Sequence, residues 1–247
     1  MTEPYRALIT GGAKGIGLAI ARRLRRDGVA LALLGRDREA LQAASRELSA
    51  HYAVADVTQP HALCAAIAEL DPCDILVNNA GAAASQPFLE STPRDWAEML
   101  AVNLTAAFAA SHAVLPHMLA RRWGRIVNIA STAGLRGYAY TAAYSAAKHG
   151  VIGLTRSLAL ELAQTGVTVN AVCPGFTDTD LVARAAEAIA QRTGRNAMEA
   201  KAALIRYNPQ GRLVRPDEVA EAVAYLCQDA AAAMTGQAIV VAGGEVT

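Results

Sequence analysis

The sequence is poor in aromatic residues and carries almost no net charge. Aromatic side chains make up 5% of the 247 residues, so a core must be built from Ala, Val, Leu and Ile. Lysine and arginine number 23 and aspartate and glutamate 22, which gives a formal charge of +1. A general nucleic-acid binder needs a clustered surplus of basic residues for its phosphate contacts, so this balance argues against that class.

Cysteine and long apolar runs are also scarce. The four cysteines lie far apart without a Cys-x-x-Cys spacing, and none of the five histidines has a convincing metal partner, so we expect neither disulfides nor a metal site. The N-terminal residues lack the basic and apolar regions of a secretory signal, and no apolar run approaches the roughly 18–20 residues of a membrane helix. These absences predict a soluble cytoplasmic protein.

Short apolar runs alternate with longer amphipathic ones along the whole chain. Strands are predicted at residues 6–10, 29–34, 52–55, 75–78, 125–129, 167–172 and 238–241. Helices are predicted at residues 17–26, 37–48, 60–70, 96–121, 143–164 and 216–228. Strands joined by crossovers of this length indicate an α/β fold with a doubly wound, parallel, seven-stranded sheet and helices on both faces. No linker or repeat divides the chain, so one domain is predicted over residues 1–247.

Residues 176–209 interrupt this alternation with a helical stretch that no strand promptly follows. A long excursion in an α/β domain is more often functional than filler. We expect a mobile helical lid over a substrate, the alternative being a helical pair that covers one end of the sheet.

The first predicted strand runs into a glycine-rich turn, TGGAKGIG, and then into a helix. Gly11, Gly15 and Gly17 permit a tight turn, and the helix N-terminus offers free N–H groups to a pyrophosphate. The spacing is G-x-x-x-G-x-G, which differs from the commoner G-x-G-x-x-G fingerprint. The turn is therefore a candidate dinucleotide site.

The end of the second predicted strand indicates which dinucleotide. An acidic residue there would bind the ribose hydroxyl of NAD, whereas this chain has Gly35 and Arg36. Arg36, with Lys14 from the glycine turn, favours the 2′-phosphate of NADP(H) over NAD(H). Asp37 is either a helix N-cap or a ribose ligand.

Ser131, Tyr144 and Lys148 form a candidate catalytic group. Tyr144 and Lys148 lie one turn apart on a predicted helix, and Ser131 follows a strand at the carboxyl end of the sheet. An ammonium beside the phenol is expected to lower the pKa of Tyr144, which suits proton exchange with an alcohol or ketone oxygen.

Read in order, these segments are highly specific. The chain has TGGAKGIG, then Asp56-Val57, the NNAG of residues 78–81, Asn103, Ser131, Tyr144-x-x-x-Lys148 and a PGxxxT segment from Pro174 to Thr179. Over nearly its whole length it resembles the single-domain branch of the short-chain dehydrogenase/reductase family. The resemblance implies a Rossmann fold and NAD(P)-dependent oxidation or reduction.

The resemblance also implies roles for individual residues. Asn103 would hold a water that feeds protons towards Lys148, Tyr144 would exchange a proton with the substrate, and Ser131 would orient the carbonyl. Cofactor contacts are implied for Thr10, Gly11, Lys14, Gly15, Ile16, Gly17, Arg36, Asp56, Val57, Asn79, Ala80, Gly81, Tyr144, Lys148, Pro174, Gly175, Thr177 and Thr179. Substrate contacts are expected from Ala83, Ser131, Ala133, Tyr138, Tyr144 and Phe176.

The chemistry most similar to this pattern is reduction of 3-oxoacyl thioesters, linked to coenzyme A or an acyl carrier protein, or the reverse oxidation of 3-hydroxyacyl-CoA. The lid resembles that of 3-hydroxybutyrate dehydrogenases, but their carboxylate ligands (Gln, His and Lys) are replaced here by Ala83, Ala133 and Thr141. A buried carboxylate without a cationic partner is unfavourable. The remaining alternatives are a neutral cyclic or aromatic ketone and a dinucleotide-sensing protein without catalysis.

Two further expectations concern partners. The basic residues of the lid are Arg184, Arg192, Arg195, Lys201 and Arg206. Either they contact the phosphates of coenzyme A or of an acyl carrier, or they form solvated helix faces with Glu187 and Glu199 as partners. By family resemblance, the helices at residues 96–121 and 143–164 and the last strand would assemble a homotetramer.

Overall fold

One parallel sheet organises the structure, a computed structural model that describes residues 4–70, 72–194 and 196–246, without the side chains of residues 188 and 193. The strand order is β3-β2-β1-β4-β5-β6-β7. The strands are β1 (Arg6–Thr10), β2 (Ala30–Gly35), β3 (His51–Val54), β4 (Ile75–Asn78), β5 (Gly124–Ile129), β6 (Val167–Pro174) and β7 (Ala238–Val241). This confirms the predicted doubly wound α/β sheet of seven strands.

Nine α-helices occur in the part of the chain that the structure describes. They are α1 (Gly15–Arg26), α2 (Arg38–Leu48), α3 (Pro60–Ala68), α4 (Pro93–Leu100), α5 (Ala106–Arg121), α6 (Ala142–Glu161), α7 (Asp180–Thr193), α8 (Ala197–Ile205) and α9 (Pro216–Leu226). Several helices begin at a residue that favours a helix N-terminus. The Asp37 carboxylate, for example, caps α2 by accepting a hydrogen bond from the Ala40 N–H. Proline stands in the first turn of α3, α4 and α9, where a missing N–H breaks no helical bond.

Alternation along the strands divides the core between the two faces of the sheet. In β1, Ala7 and Ile9 join one cluster with α1, α2 and α9, whereas Leu8 joins another with α3, α5 and α6. In β4, Ile75 and Val77 face the first cluster and Leu76 the second. Because the inner strands are covered on both sides, they are near-continuous apolar runs rather than polar–apolar alternations, whereas the edge strands β3 and β7 are partly exposed.

The predicted helix over residues 96–121 differs in one respect. The structure has α4, then a π-helical turn at Ala101–Thr105, then α5, as one continuous stretch. By length and composition, Pro93–Arg121 is long and apolar enough to cross a membrane, although polar and charged residues interrupt it. Core helices of soluble proteins pass the same test, and α5 packs in the second core cluster.

Helices α7 and α8 occupy the predicted excursion at residues 176–209. Val182 and Ala186 of α7 pack against Ala200 and Leu204 of α8, with Leu213 and Phe176 closing this small cluster. The segment is therefore a helical pair with a core of its own, and its mobility stays a prediction.

Candidate active site

The glycines of the turn between β1 and α1 are required by its backbone conformation and close packing. Gly11 and Gly15 have φ values of +63° and +53°, in the left-handed region. A Cβ on Gly17 would lie 2.2 Å from the carbonyl oxygen of Gly11 and 2.5 Å from Nδ2 of Asn79. The first turn of α1 has no acidic residue, so its N-terminus remains suitable for an anion.

Hydrogen bonds join this turn to the NNAG segment after β4. The hydroxyl oxygen of Thr10 accepts from the N–H groups of Asn79 and Ala80, each at 3.0 Å. Nδ2 of Asn79 donates to the carbonyl oxygens of Thr10 (3.0 Å) and Gly11 (3.1 Å). Two segments that are almost 70 residues apart thus form one rigid wall at the carboxyl edge of the sheet.

Charged residues surround the end of β2. Nζ of Lys14 lies 2.6 Å from Oδ2 of Asp37, whose other oxygen caps α2. Of the two predicted roles for Asp37, the structure therefore shows the N-cap. Nη1 of Arg36 lies 3.6 Å from Oδ2 of Asp56, but 74% of the Arg36 side chain is exposed. Both cations are paired, but Arg36 is the more exposed and has the longer ion pair of the two.

Asp56 and Val57 follow β3 on the same edge. The backbone N–H and the hydroxyl of Thr58 both donate to Oδ1 of Asp56, at 2.9 and 2.8 Å. The backbone bond from Thr58 is the largest of the effects that lower the pKa of Asp56, so this group is a carboxylate at neutral pH. Val57 is buried beside it.

Lys148 is a buried ammonium, 5% exposed, on α6. Its Nζ donates to the carbonyl oxygen of Ile129 (2.8 Å) and lies 5.8 Å from the centre of the Tyr144 ring. Burial lowers the pKa of Lys148 to about 8. The predicted proximity of the two side chains on α6 is therefore present.

The predicted direction of the Tyr144 pKa is wrong for this structure. Burial raises the pKa of the phenol, and a hydrogen bond with Ser131 opposes that rise without reversing it. The ammonium of Lys148 bonds to the Ile129 carbonyl instead of to the phenol oxygen. Tyr144 is thus a protonated acid at neutral pH, held beside Ser131.

Asn103 lies in the π-helical turn between α4 and α5. Its Nδ2 donates to the carbonyl oxygens of Ala82 (2.9 Å) and Met99 (3.1 Å), and its Oδ1 accepts from the Ala82 N–H. A Cβ on Gly81 would lie 2.8 Å from Oδ1 of Asn103 and 3.7 Å from Nζ of Lys148. Asn103 and Lys148 therefore flank the end of the NNAG segment, and the π-turn that aims Asn103 is a feature that sequence reasoning missed.

The PGxxxT segment lies opposite the glycine turn. Thr177 is buried, donates to the carbonyl oxygen of Gly175 (3.0 Å) and pairs with Val214. A Cβ on Gly15 would approach Cγ2 of Thr179 to 3.3 Å, so the start of α7 touches the turn after β1. Pro174, the first residue of this segment, is also the last residue of β6.

The other predicted substrate residues include Ala83, Ala133, Tyr138 and Phe176. Ala133 is buried, and its N–H donates to the hydroxyl oxygen of Ser131 (3.1 Å), whereas Ala83 is exposed. Tyr138 packs edge-on against Phe176 (6.2 Å between ring centres) and against Tyr207 (5.6 Å). Tyr207 was not predicted, and no sequence pattern connects it with Tyr138.

Three basic residues of the lid, Arg184, Arg192 and Lys201, have partners other than the predicted Glu187 and Glu199. Arg192 donates to the carbonyl oxygen of Ser85 (2.7 Å), and Lys201 pairs with Asp178 (3.5 Å). Arg184 donates to the backbone of its own helix, and Glu199 caps α8. Arg195 lies outside the described residues. Within those residues, no group of three or more His, Cys, Asp or Glu side chains gathers into a metal site.

The fold and this site define a class. A Rossmann-type sheet with a glycine turn at its carboxyl edge, beside a Ser–Tyr–Lys group, is that of an NAD(P)-dependent oxidoreductase. Residues 5–190 match the family described as short chain dehydrogenase. The chain belongs to the short-chain dehydrogenase/reductase family.

Individual relatives cover the whole length. A Streptomyces coelicolor protein named as a ketoacyl reductase is 44% identical over 96% of this chain and 95% of its own. A D-beta-hydroxybutyrate dehydrogenase of Cupriavidus necator is 40% identical over 93% of each chain. The crystal structure of a single-residue variant of the actinorhodin polyketide ketoreductase with NADPH is 42% identical, with a TM-score of 0.92 over 98% of this chain and 97% of that one.

Proposed function

We propose that this protein is an NADP(H)-dependent reductase of 3-oxoacyl thioesters, carried by coenzyme A or by an acyl carrier protein. The observation that carries the proposal is the position of Tyr144, Ser131 and Lys148 at the sheet edge that also bears the glycine turn. The names of the ketoacyl reductase and the polyketide ketoreductase support the substrate class. The physiological direction would be reduction.

The residues present fit a dinucleotide. At Gly11, Gly17 and Gly81 a Cβ would meet neighbouring protein atoms, so only glycine lets the backbone pack this closely beside the N-terminus of α1, where the N–H groups can face a pyrophosphate. Arg36 and Lys14 stand where a 2′-phosphate would be bound, which supports NADP(H) over NAD(H). Asp37 competes for Lys14, so Arg36 would carry most of that preference. When bound, the reduced nicotinamide supplies the hydride that the carbonyl carbon takes up.

The side chains provide the acid–base part of the reaction. Ser131 would donate a hydrogen bond to the carbonyl oxygen and hold the ketone in place. Tyr144 would then give that oxygen its phenolic proton, completing the alcohol. A phenol whose pKa burial has raised stays protonated at neutral pH, as a proton donor must. Asn103 and Lys148 lie on either side of Gly81. Asn103 would hold a water that passes a proton towards Lys148, and Lys148 would return that proton to the phenolate of Tyr144.

The substrate side favours an uncharged ketone. Ala83, Ala133 and Thr141 offer no positive charge to a free carboxylate, and burying a carboxylate without a cationic partner is unfavourable. The similarity to the hydroxybutyrate dehydrogenase therefore does not extend to the substrate we propose. Because Tyr138, Phe176 and Tyr207 form an aromatic wall, a cyclic or aromatic ketone is the second candidate.

Loss of NADPH absorbance on addition of a ketone tests the proposal. Acetoacetyl-CoA, acetoacetate and a simple cyclic ketone are compared under the same conditions, with NADH in parallel. We expect turnover with the thioester, a preference for NADPH and almost none with acetoacetate. Turnover of acetoacetate alone would contradict the substrate assignment, and dinucleotide binding without turnover of any ketone would favour a sensing protein.

We also propose that the chain forms a homotetramer in the cytoplasm. Phe108 of α5 (54% exposed) and Leu160 of α6 (81% exposed) are large apolar residues on the predicted interface helices. All four cysteines are free, which suits a reducing compartment. Sedimentation of the wild type and of Phe108→Glu tests the assembly: a tetramer that the substitution dissociates is expected, and a monomeric wild type would contradict it.

A further inference from the structure

A buried carboxylate lies next to the end of the chain, on the substrate side of the site. Glu245 is 8% exposed, although it is only two residues from the last position. The Tyr138 hydroxyl donates to Oε1 of Glu245 and lies 2.8 Å from the hydroxyl oxygen of Thr132. Thr132 directly follows Ser131, so the terminal segment is connected with the catalytic turn through one tyrosine.

Half of this carboxylate is left without a hydrogen bond. Oε2 of Glu245 is buried and has no partner among the described residues. It lies against Gly175, where a Cβ would come within 2.6 Å. An unpaired buried carboxylate oxygen is destabilising, and such a group needs an explanation other than stability. Burial raises the pKa of both Glu245 and Tyr138.

Arg136 is the charged group that faces this pair. Its guanidinium lies 4.8 Å from the centre of the Tyr138 ring, and its Nη1 donates to the backbone carbonyl oxygen of Glu245 (3.4 Å). Arg136 therefore holds the backbone of the terminal segment, whereas the side-chain carboxylate of Glu245 is committed to Tyr138.

The terminal segment also meets the end of the lid. A Cβ on Gly243 would lie 2.1 Å from Oδ1 of Asn208, and one on Gly244 would lie 3.5 Å from Pro209. Tyr207, just before them, packs against Phe176 (5.3 Å between ring centres) and against Tyr138. The turn after β5, the loop after β6, the end of the lid and the terminal segment after β7 thus converge on Tyr138 and Glu245.

We propose that Glu245 is a positioning residue for the ketone substrate. Through its hydrogen bond with Tyr138, it fixes the aromatic wall of Tyr138, Phe176 and Tyr207 against the turn that carries Ser131. The shape of this wall then selects the part of the ketone that lies beyond the reacting carbonyl. The inference rests on the proposed function, because it assumes that a ketone fills this side of the site.

The position of Glu245 predicts which kinetic constants change. Its contacts belong to the loops after β5, β6 and β7, whereas the glycine turn and Arg36 follow β1 and β2. Oε2 of Glu245 lies against Gly175, an expected cofactor contact, but its hydrogen bond goes to Tyr138. Loss of Glu245 should therefore raise KM for the ketone much more than it raises the NADPH dissociation constant. Because Tyr144 and Lys148 stay in place on α6, kcat should change little.

The experiment compares Glu245→Ala, Glu245→Gln, Tyr138→Phe and the double variant Glu245→Ala/Tyr138→Phe. We expect about a tenfold rise in KM for each of Glu245→Ala and Tyr138→Phe, since one charge-assisted hydrogen bond is lost. The double variant should be no worse than the worse single one, because both remove the same contact. Glu245→Gln keeps an acceptor for Tyr138 and should recover most of the loss. Glu69→Ala, an exposed carboxylate at the end of α3, is the control.

Several results would overturn the inference. An unchanged KM in Glu245→Ala, additive losses in the double variant, or a glutamine variant as impaired as the alanine one would each do so. A fall in kcat and in the melting midpoint without a rise in KM would show a merely structural role and would also overturn it.

A wild type that reduces no ketone would overturn the proposed function separately. The melting midpoints of the four variants then still decide whether Glu245 holds Tyr138. A shared loss in the double variant supports the contact, and additive losses overturn it.

Discussion

The dinucleotide side and the substrate side of this site are built in different ways. On the dinucleotide side, glycines place the backbone itself against the ligand space, and a Cβ on Gly17 would lie 2.2 Å from a carbonyl oxygen. On the substrate side, side chains far apart in sequence hold one another, as Tyr138 and Glu245 do across 107 positions. The glycines of the dinucleotide side therefore tolerate almost no larger residue. The substrate side, in contrast, can change its shape when one contact is lost.

Removing the catalytic phenol should have the largest effect and should leave the dinucleotide side intact. Tyr144→Phe removes the acid that protonates the carbonyl oxygen. General acid catalysis typically contributes about 10²–10⁴-fold to the rate. We expect turnover to fall by that order while the NADPH dissociation constant changes only a few-fold. Steady-state kinetics and fluorescence titration of NADPH measure the two. Retained activity would refute the assigned role.

Adding a side chain to the glycine turn should weaken NADPH binding and leave the catalytic phenol in place. A methyl group at Gly17 collides with the backbone of Gly11 and with Asn79, so Gly17→Ala should weaken NADPH binding about tenfold or more and destabilise the fold by about 1–3 kcal/mol. Gly153→Ala is the matched control, since no atom lies within 4 Å of its Cβ position in α6. It should raise stability by up to about 1 kcal/mol. Equal effects of the two substitutions in denaturation and titration would show that the turn is not restrictive.

A third substitution tests which cation binds the 2′-phosphate that distinguishes NADPH from NADH. Arg36 is more exposed than the paired Lys14, so Arg36→Asp should lower the preference for NADPH over NADH about 10- to 100-fold. Dissociation constants for both dinucleotides measure the ratio. Arg38→Asp, two residues along, controls for net charge and should change the ratio much less. An unchanged ratio in Arg36→Asp would mean that another residue reads the phosphate.

The last prediction concerns how stability changes with pH at Lys148, which lies between the two sides. Burial lowers the pKa of Lys148 to about 8 in the folded chain, from 10.5. Above the higher value the lysine is neutral in both states. As the pH falls from 10.5 to about 8, the unfolded chain binds the proton before the folded one does, so stability falls by up to about 3 kcal/mol. Relative to Lys148→Met, the wild type should therefore gain stability from about pH 8 to pH 10.5 in denaturant titrations. Parallel curves for the two proteins would contradict the burial of the ammonium.

Much of the fold was predictable because its signals are local. The bounds of β1, β4 and β7 match the prediction, since each is a short apolar run between turn residues. Helix α4 begins at Pro93 and not at residue 96, because the Thr92 and Asp95 capping box and the proline start it earlier. The π-turn around Asn103 could not be foreseen, because the pattern of apolar residues continues through it.

In the site, too, features with a local sequence signal were predicted and features without one were not. Gly11, Gly17, Tyr144 and Lys148 were found because short spacings express their chemistry. The direction of the Tyr144 pKa was not, since it depends on burial and on the Ile129 carbonyl that takes the ammonium of Lys148. Tyr207 and Glu245 escaped prediction because their partners are distant in the chain.

The sequence by itself determined the alternation of strands and helices, the glycine turn and the order of the catalytic residues, since each depends on neighbours within a few positions. The tertiary structure alone decided the protonation of the phenol, the pairing of Lys14 with Asp37, and the convergence of four loops on Glu245. Those properties depend on burial and on contacts between distant segments, and neither exists until the sheet has formed.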